Sequence, residues 1–172
     1  RSPGWCGVQR FGRIHGRIVC VFAQDATVFD GSLSEANAAK AVTLIDAAIR
    51  IGVPLIGLYD SSGARLQEDI AAIAASTDVL FHLTLASGII PQIAAILGTC
   101  ADIAALAPAL ADFTLASTGD DSQCIASVRE LLAFLPASRK ETPPHQPACD
   151  TPSRADTALD TGLFRRVMGR FA

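Results

Sequence analysis

Two short runs, VPLIGLY (residues 53–59) and IIPQIAAILG (residues 89–98), are apolar at almost every position and too short to be helices of ordinary length. A strand with one wet face alternates apolar and polar residues. A strand covered on both faces does not, and that condition is met in parallel sheets sandwiched by helices. The segment between them, RLQEDIAAIAASTDVLFHLTLA (residues 65–86), has helical spacing and is predicted as two helices or one bent near Ser76 and Thr77. A third run, DFTLAS (residues 112–117), follows TCADIAALAPALA, a turn into a short helix. Strand and helix alternate, so the class is α/β with a largely parallel sheet.

The flanking segments carry their own punctuation. QRFGRIHGRIVCVFAQ (residues 9–24) reads as a β-hairpin with its turn at His15 and Gly16. The next helix is capped by Ser34, has Glu35 in its first turn and stops at Gly52. Its buried face is predicted at Ala38, Val42, Ile45 and Ile49. A further amphipathic helix, GDDSQCIASVRELLAFLP (residues 119–136), places Ile125, Val128, Leu131, Leu132 and Leu135 on one face. Five of the nine prolines then fall at residues 136–152, the composition of a linker. LFRRVMGRFA (residues 163–172) has the pattern of a short basic amphipathic helix. The expected organisation is a domain at 1–135, a Pro-rich linker at 136–158 and a short segment at 159–172.

A net charge of −3 without a basic block argues against nucleic acid and anionic membrane surfaces as partners. The longest uncharged run, residues 83–101, is interrupted by Ser87, Gly88, Pro91, Gln92, Gly98 and Thr99 and does not read as a membrane span. The N-terminus has no stretch resembling a signal peptide. Five scattered cysteines without CxxC spacing point to a reducing cytoplasm, and the three histidines lie far apart, so no metal site is expected. Phosphate-loop, dinucleotide and nucleophile-elbow motifs are missing from the sequence.

Chemistry is best sought at two strand-to-helix turns, DSSGAR (residues 60–65) and GTCAD (residues 98–102). Ligands of parallel sheets gather beyond the carboxyl ends of strands, where backbone N–H groups point outward. One N–H from each turn can hold a developing oxyanion such as a thioester enolate. The plainer reading is that small residues only let a strand turn tightly into a helix.

Three long stretches resemble, in order, the N-terminal half of the carboxyltransferase β subunit of acyl-CoA carboxylases of the propionyl-CoA and methylmalonyl-CoA type. They are GRIHGRIVCVFAQDATVFDGSLSEANAAK, GVPLIGLYDSSGARLQED and ASGIIPQIAAILGTCADIAALAPALADFTLAS. SVRELLAFLP, the proline-rich stretch and ALDT are similar to the passage into that family's second half. The resemblance implies a crotonase-like (ClpP/crotonase) spiral of ββα units, here incomplete. It implies that an acyl-CoA thioester is bound and its enolate stabilised for carboxyl transfer from carboxybiotin. Gly63 and Ala64 would be backbone oxyanion donors, and Ala101 would be the donor of the second turn. Ser61, Ser62, Gly63, Ala64 and Cys100 would line the bound thioester or carboxybiotin, with no tightly held cofactor. Partners would be a biotin carboxylase or biotin carrier subunit, in a homo- or hetero-oligomer, in the cytoplasm or the mitochondrial matrix.

The chain departs from the family pattern in four places. Ser62 stands where the family turn, DSGGAR, has its first glycine, which is costly if that position needs a positive φ. Asp102 and Ile103 replace two glycines of the second turn; Asp102 reads as a helix cap or, pointing into the cleft, as an acid or base. DFTLAS runs almost directly into the last amphipathic helix, where the family has a further strand, loop and helix. The family's second domain has no counterpart in these residues. The alternatives are therefore a biotin-independent decarboxylase of acyl thioesters and a non-catalytic remnant or assembly module.

Overall fold

The computed structural model describes residues 7–65, 67, 69–119 and 121–135, and the expected linker and C-terminal segment lie outside these. Strands β1 (Gly7–Ile14) and β2 (Arg17–Gln24) form the expected hairpin. His15 and Gly16 both have positive φ (51° and 78°), the two-residue turn whose twist matches paired strands. Helix α1 (Glu35–Ile51) starts where Ser34 Oγ accepts the Asn37 N–H at 3.3 Å and stops at a left-handed Gly52.

Strands β3 (Leu55–Ser61), β4 (Gln92–Cys100) and β5 (Phe113–Ala116) complete one sheet in the order β1-β2-β3-β4-β5. Only the first pair is antiparallel. Helix α2 (Asp69–Ala86) is a single helix. The Ser76 and Thr77 hydroxyls donate back to the carbonyls of Ala72 and Ile73, so both are satisfied inside the helix and neither ends it. A 3-10 turn (Asp102–Ala105), α3 (Leu106–Ala109) and α4 (Asp121–Phe134) follow in their expected places.

The sheet has an apolar core on each face. Leu55, Tyr59 and Ala94 pack against α1 and α2, whereas Ile56, Leu58, Ile93 and Ala95 pack against Ile125, Val128 and Leu132 of α4. Burial on both faces is the reason the strands of this region look uniformly apolar. On α1 the fully buried residues include Ala38, Ala41, Leu44, Ile45 and Ala48, while Val42 and Ile49 are only half-buried. The predicted stripe is thus rotated toward the alanines, whose small side chains let the helix lie close to its neighbours. Arg17 fastens α4 by donating to the carbonyls of Leu132 (2.7 Å) and Leu135, acceptors left open at a helix end.

Candidate functional site: two turns at the carboxyl ends of β3 and β4

The first turn is built around Ser61. Its side chain is fully buried, and its hydroxyl accepts the Gly63 N–H at 3.1 Å. Gly63 adopts φ 111°, a conformation that side chains disfavour, whereas Ser62 is exposed and has no positive φ. The glycine that the backbone requires is therefore the one present, and serine at 62 carries no such strain.

A neighbouring segment holds the turn in place. The Ser62 N–H donates to Asp30 O (2.9 Å), Leu33 N–H to Gly63 O (2.9 Å) and Arg65 N–H to Leu33 O (3.0 Å). Leu33 and Ala64 form a parallel bridge, in which the bonds are made by the groups flanking Ala64. Ala64's own N–H points away from Leu33 and has no hydrogen-bond partner among the described residues. Phe29, Asp30 and Gly31 are all left-handed (φ 50°, 53° and 64°). The Arg65 guanidinium lies 4.6 Å above the centre of the exposed Phe29 ring.

The second turn differs from its expected form. GTCAD does not leave the sheet at Gly98: β4 continues to Cys100, and Ser61 pairs with Cys100 across the sheet. Pairing with the longer neighbour overrides the local turn signal. The Ala101 N–H donates to Ser61 O at 3.3 Å, which engages the donor expected to face a ligand and ties the two turns together. The Asp102 side chain lies outside the described set. The Cys100 thiol donates inward to Ala104 O at 3.4 Å, and burial, followed by the charge of Asp60, pushes its pKa up, so it is no ready nucleophile.

A cavity of about 50 Å³ lies behind the first turn, between the sheet and the helices, bounded by Gly63, Leu33, Val79, Leu80, Ile103 and Ala104. Gln24 also lines it, and its Oε1 is a buried oxygen without a partner among the described residues. Sequence reasoning did not single out Gln24 or Gly31, and it named Asp60 only as the start of the first turn, without a role. Gln24 is an unremarkable strand end in the sequence, and the other two acquire their roles only through contacts with distant segments. Among the described residues no cluster of His, Cys, Asp or Glu fits a metal ion, and no helix is long and apolar enough to cross a membrane.

A largely parallel sheet with helices on both faces places the chain in the α/β class of the crotonase-like fold. Residues 7–120 match the carboxyl transferase domain family, and the chain belongs to that family. The mitochondrial propionyl-CoA carboxylase beta chain of Homo sapiens is 52% identical over 114 residues, covering 66% of this chain and 21% of the relative. The methylmalonyl-CoA decarboxylase subunit alpha of Veillonella parvula is 36% identical over 204 aligned positions, covering 94% of this chain and 40% of the relative. Among solved structures, transcarboxylase 12S, a hexamer with hydrolysed methylmalonyl-coenzyme A bound, superposes with a TM-score of 0.64 at 37% identity. That match covers 72% of this chain and 26% of the transcarboxylase chain. The chain thus spans between a fifth and two fifths of the length of these relatives.

Proposed function

We propose that this chain is a component of an acyl-CoA carboxyltransferase, binding an acyl-CoA thioester at the turn of residues 61–64 and stabilising its enolate. The observation that carries the reading is the Ala64 N–H. It is a backbone donor without a partner among the described residues, fixed by the bridge to Leu33, inside a segment that matches the family. A thioester carbonyl gains negative charge as its α-proton passes to a base, which is solvent water in the absence of biotin, and a fixed donor near that oxygen stabilises the charge without reorganising. Gly63 contributes conformation rather than a donor, because its N–H is held by Ser61 Oγ. Ala101 likewise braces the turn through Ser61 O. Carboxybiotin, brought by a biotin carrier subunit, would supply the activated carboxyl group. The Ala64 N–H fits a carbonyl acceptor of either molecule, and the small apolar cavity behind Gly63 supports assigning it to the thioester.

A partner is part of the proposal. The outward side of α2 carries Ile70, Ile73, Phe81 and Leu85, all exposed, and an apolar stripe of this kind is covered in an assembly. Propionyl-CoA and methylmalonyl-CoA are the substrates suggested by the relatives' names.

The test is titration of ¹⁵N-labelled protein with propionyl-CoA, together with deuterium wash-in at the acyl α-carbon in D₂O read by mass spectrometry. The Ala64 amide resonance is expected to move on binding. Ala64→Pro removes the donor, and a variant that stays folded should lose binding and any wash-in, a loss on the order of a hundredfold for a single oxyanion donor. A folded wild type whose Ala64 amide is unmoved at saturating propionyl-CoA overturns the reading.

A further inference from the structure

We propose that Asp60 is the positioning residue of this site: its side chain is the template around which the end of β4 folds, and it thereby fixes where the second turn meets the first. The inference rests on the thioester-binding reading and adds the residue that sets the geometry of the two turns.

The register of the sheet carries the argument. β3 and β4 pair in step from Leu55 opposite Gln92 to Tyr59 opposite Ile96, and the next pair is Ser61 opposite Cys100. One residue of β3, Asp60, therefore faces three of β4: Leu97, Gly98 and Thr99. The surplus is a bulge, and a bulge bends its strand and re-aims the residues beyond it. The Asp60 carboxylate fills it. Thr99 N–H donates to Asp60 Oδ1 at 3.0 Å, and a Cβ at Gly98 would lie 2.3 Å from the same oxygen and 2.5 Å from Cγ. With the carboxylate in this place, a side chain at residue 98 would force the carboxylate or the strand to move.

Past the bulge, Cys100 pairs with Ser61 and Ala101 N–H reaches Ser61 O. Ser61 is the residue whose hydroxyl holds Gly63. The carboxylate thus governs, through two backbone links, the turn that presents the Ala64 N–H. Its backbone is clamped as well: the Asp60 carbonyl is so close to Gly31 that a Cβ there would lie 2.0 Å from it.

Asp60 does not act on the substrate directly. Alternation along β3 puts Leu55 and Tyr59 on the side of α1 and α2, and Ile56 and Leu58 on the side of α4. Asp60 shares the second side, away from the cavity behind Gly63. Burial raises the pKa of the carboxyl, the Thr99 N–H lowers it, and the charges of Asp25 and Asp121 raise it further, so the net direction is upward. What the side chain contributes is the shape of β4.

The experiment compares Asp60→Ala, Asp60→Asn, Gly98→Ala and the double variant Asp60→Ala with Gly98→Ala. It reads melting temperature, the Ala101 and Gly63 amide resonances, and the dissociation constant for propionyl-CoA. Asp60→Ala is expected to shift both amides and weaken binding about tenfold in a folded protein, while Asp60→Asn, which keeps an acceptor for Thr99, stays within about twofold. Gly98→Ala should lower the melting temperature with Asp60 present and have little effect in the Asp60→Ala background, because the clash needs the carboxylate. An Asp60→Ala protein with unmoved amides, or a Gly98→Ala cost equal in both backgrounds, overturns the proposal. A wild type that binds no thioester overturns the functional reading instead, and the amide and melting data then decide the role of Asp60.

Discussion

Gly31→Ala, set against Gly88→Ala, separates backbone strain from close contact. Both glycines are left-handed, at φ 64° and 74°. Placing alanine in that region costs about 1–2 kcal/mol per residue, and the unfolded chain loses the same freedom in both variants, so that contribution cancels between them. The surroundings differ. Around Gly88 an added Cβ meets nothing within 4 Å, whereas at Gly31 it would lie 2.0 Å from Asp60 O and 3.0 Å from both Asp60 C and Ser61 Cα. These are backbone atoms and cannot rotate aside, so relief requires moving residues 30–33 away from the first turn. Overpacking of this kind adds about 1–3 kcal/mol. The expected loss is about 1 kcal/mol for Gly88→Ala and about 3 kcal/mol for Gly31→Ala, or roughly 3 °C and 9 °C in melting temperature for a chain of this length. Calorimetry measures both. The amide resonances of Leu33, Ser62 and Arg65, whose bonds cross this junction, should shift in Gly31→Ala alone. If the two variants melt within about 2 °C of each other, the contact with Asp60 does not hold the turn and the account of residues 30–33 fails.

Three further outcomes rest on named groups. Ser34→Ala removes the acceptor for the Asn37 N–H and should cost about 1 kcal/mol in chemical denaturation, with no change in the turns. Burial pushes the Cys20 thiol up to about 12, so peptide mapping after alkylation at mildly alkaline pH should find Cys20 unmodified while the protein is folded. The Asp60 carboxyl titrates above its ordinary value, through burial first and then the charges of Asp25 and Asp121, against the lowering effect of Thr99 N–H. The folded state therefore holds this proton more tightly than the unfolded state. Stability should fall as pH rises from the ordinary carboxylate range through the raised value, and Asp60→Asn should abolish that contribution in denaturation curves taken across the interval.

The features legible in the sequence are the local ones. The hairpin turn at His15 and Gly16, the Ser34 cap, the Gly52 stop and the two apolar strands arise from short-range stereochemistry and are found as expected. The turn of residues 60–65 was legible as a place where backbone is exposed, because serine, glycine and alanine sit at a strand end. Its working parts were not. Which N–H lacks a partner among the described residues depends on the bridge to Leu33 and on the Ser61 hydroxyl, and neither leaves a periodic trace. The bulge in β4 was invisible because Asp60 and Thr99 are 39 residues apart, and nothing in GTC announces that the strand will continue past a glycine. Val42 and Ile49 were placed too deep because hydrophobicity ranks them above alanine, while close packing on α1 puts small side chains inward.

The same geometry bears on whether the chain's departures from its family undo the site. A loss of glycine matters only where the backbone needs one. Gly63 has the positive φ that serine would resist, Gly31 lies against the Asp60 carbonyl, and Gly98 lies against the Asp60 carboxylate. All three are glycine in this chain. Ser62, which replaces a glycine of the family turn, is exposed with no positive φ, and Ile103 shows none either. These two substitutions thus fall at positions whose backbone tolerates side chains, and the glycines at 31, 63 and 98 are kept. A scaffold kept only for its core would need Leu55, Ile56 and Ile93, which lie in the two packed layers. It would not need a carboxylate set in a bulge or a serine hydroxyl holding Gly63. Those features hold one conformation of one turn, the turn whose Ala64 N–H has no partner among the described residues and is the donor of the proposed thioester site.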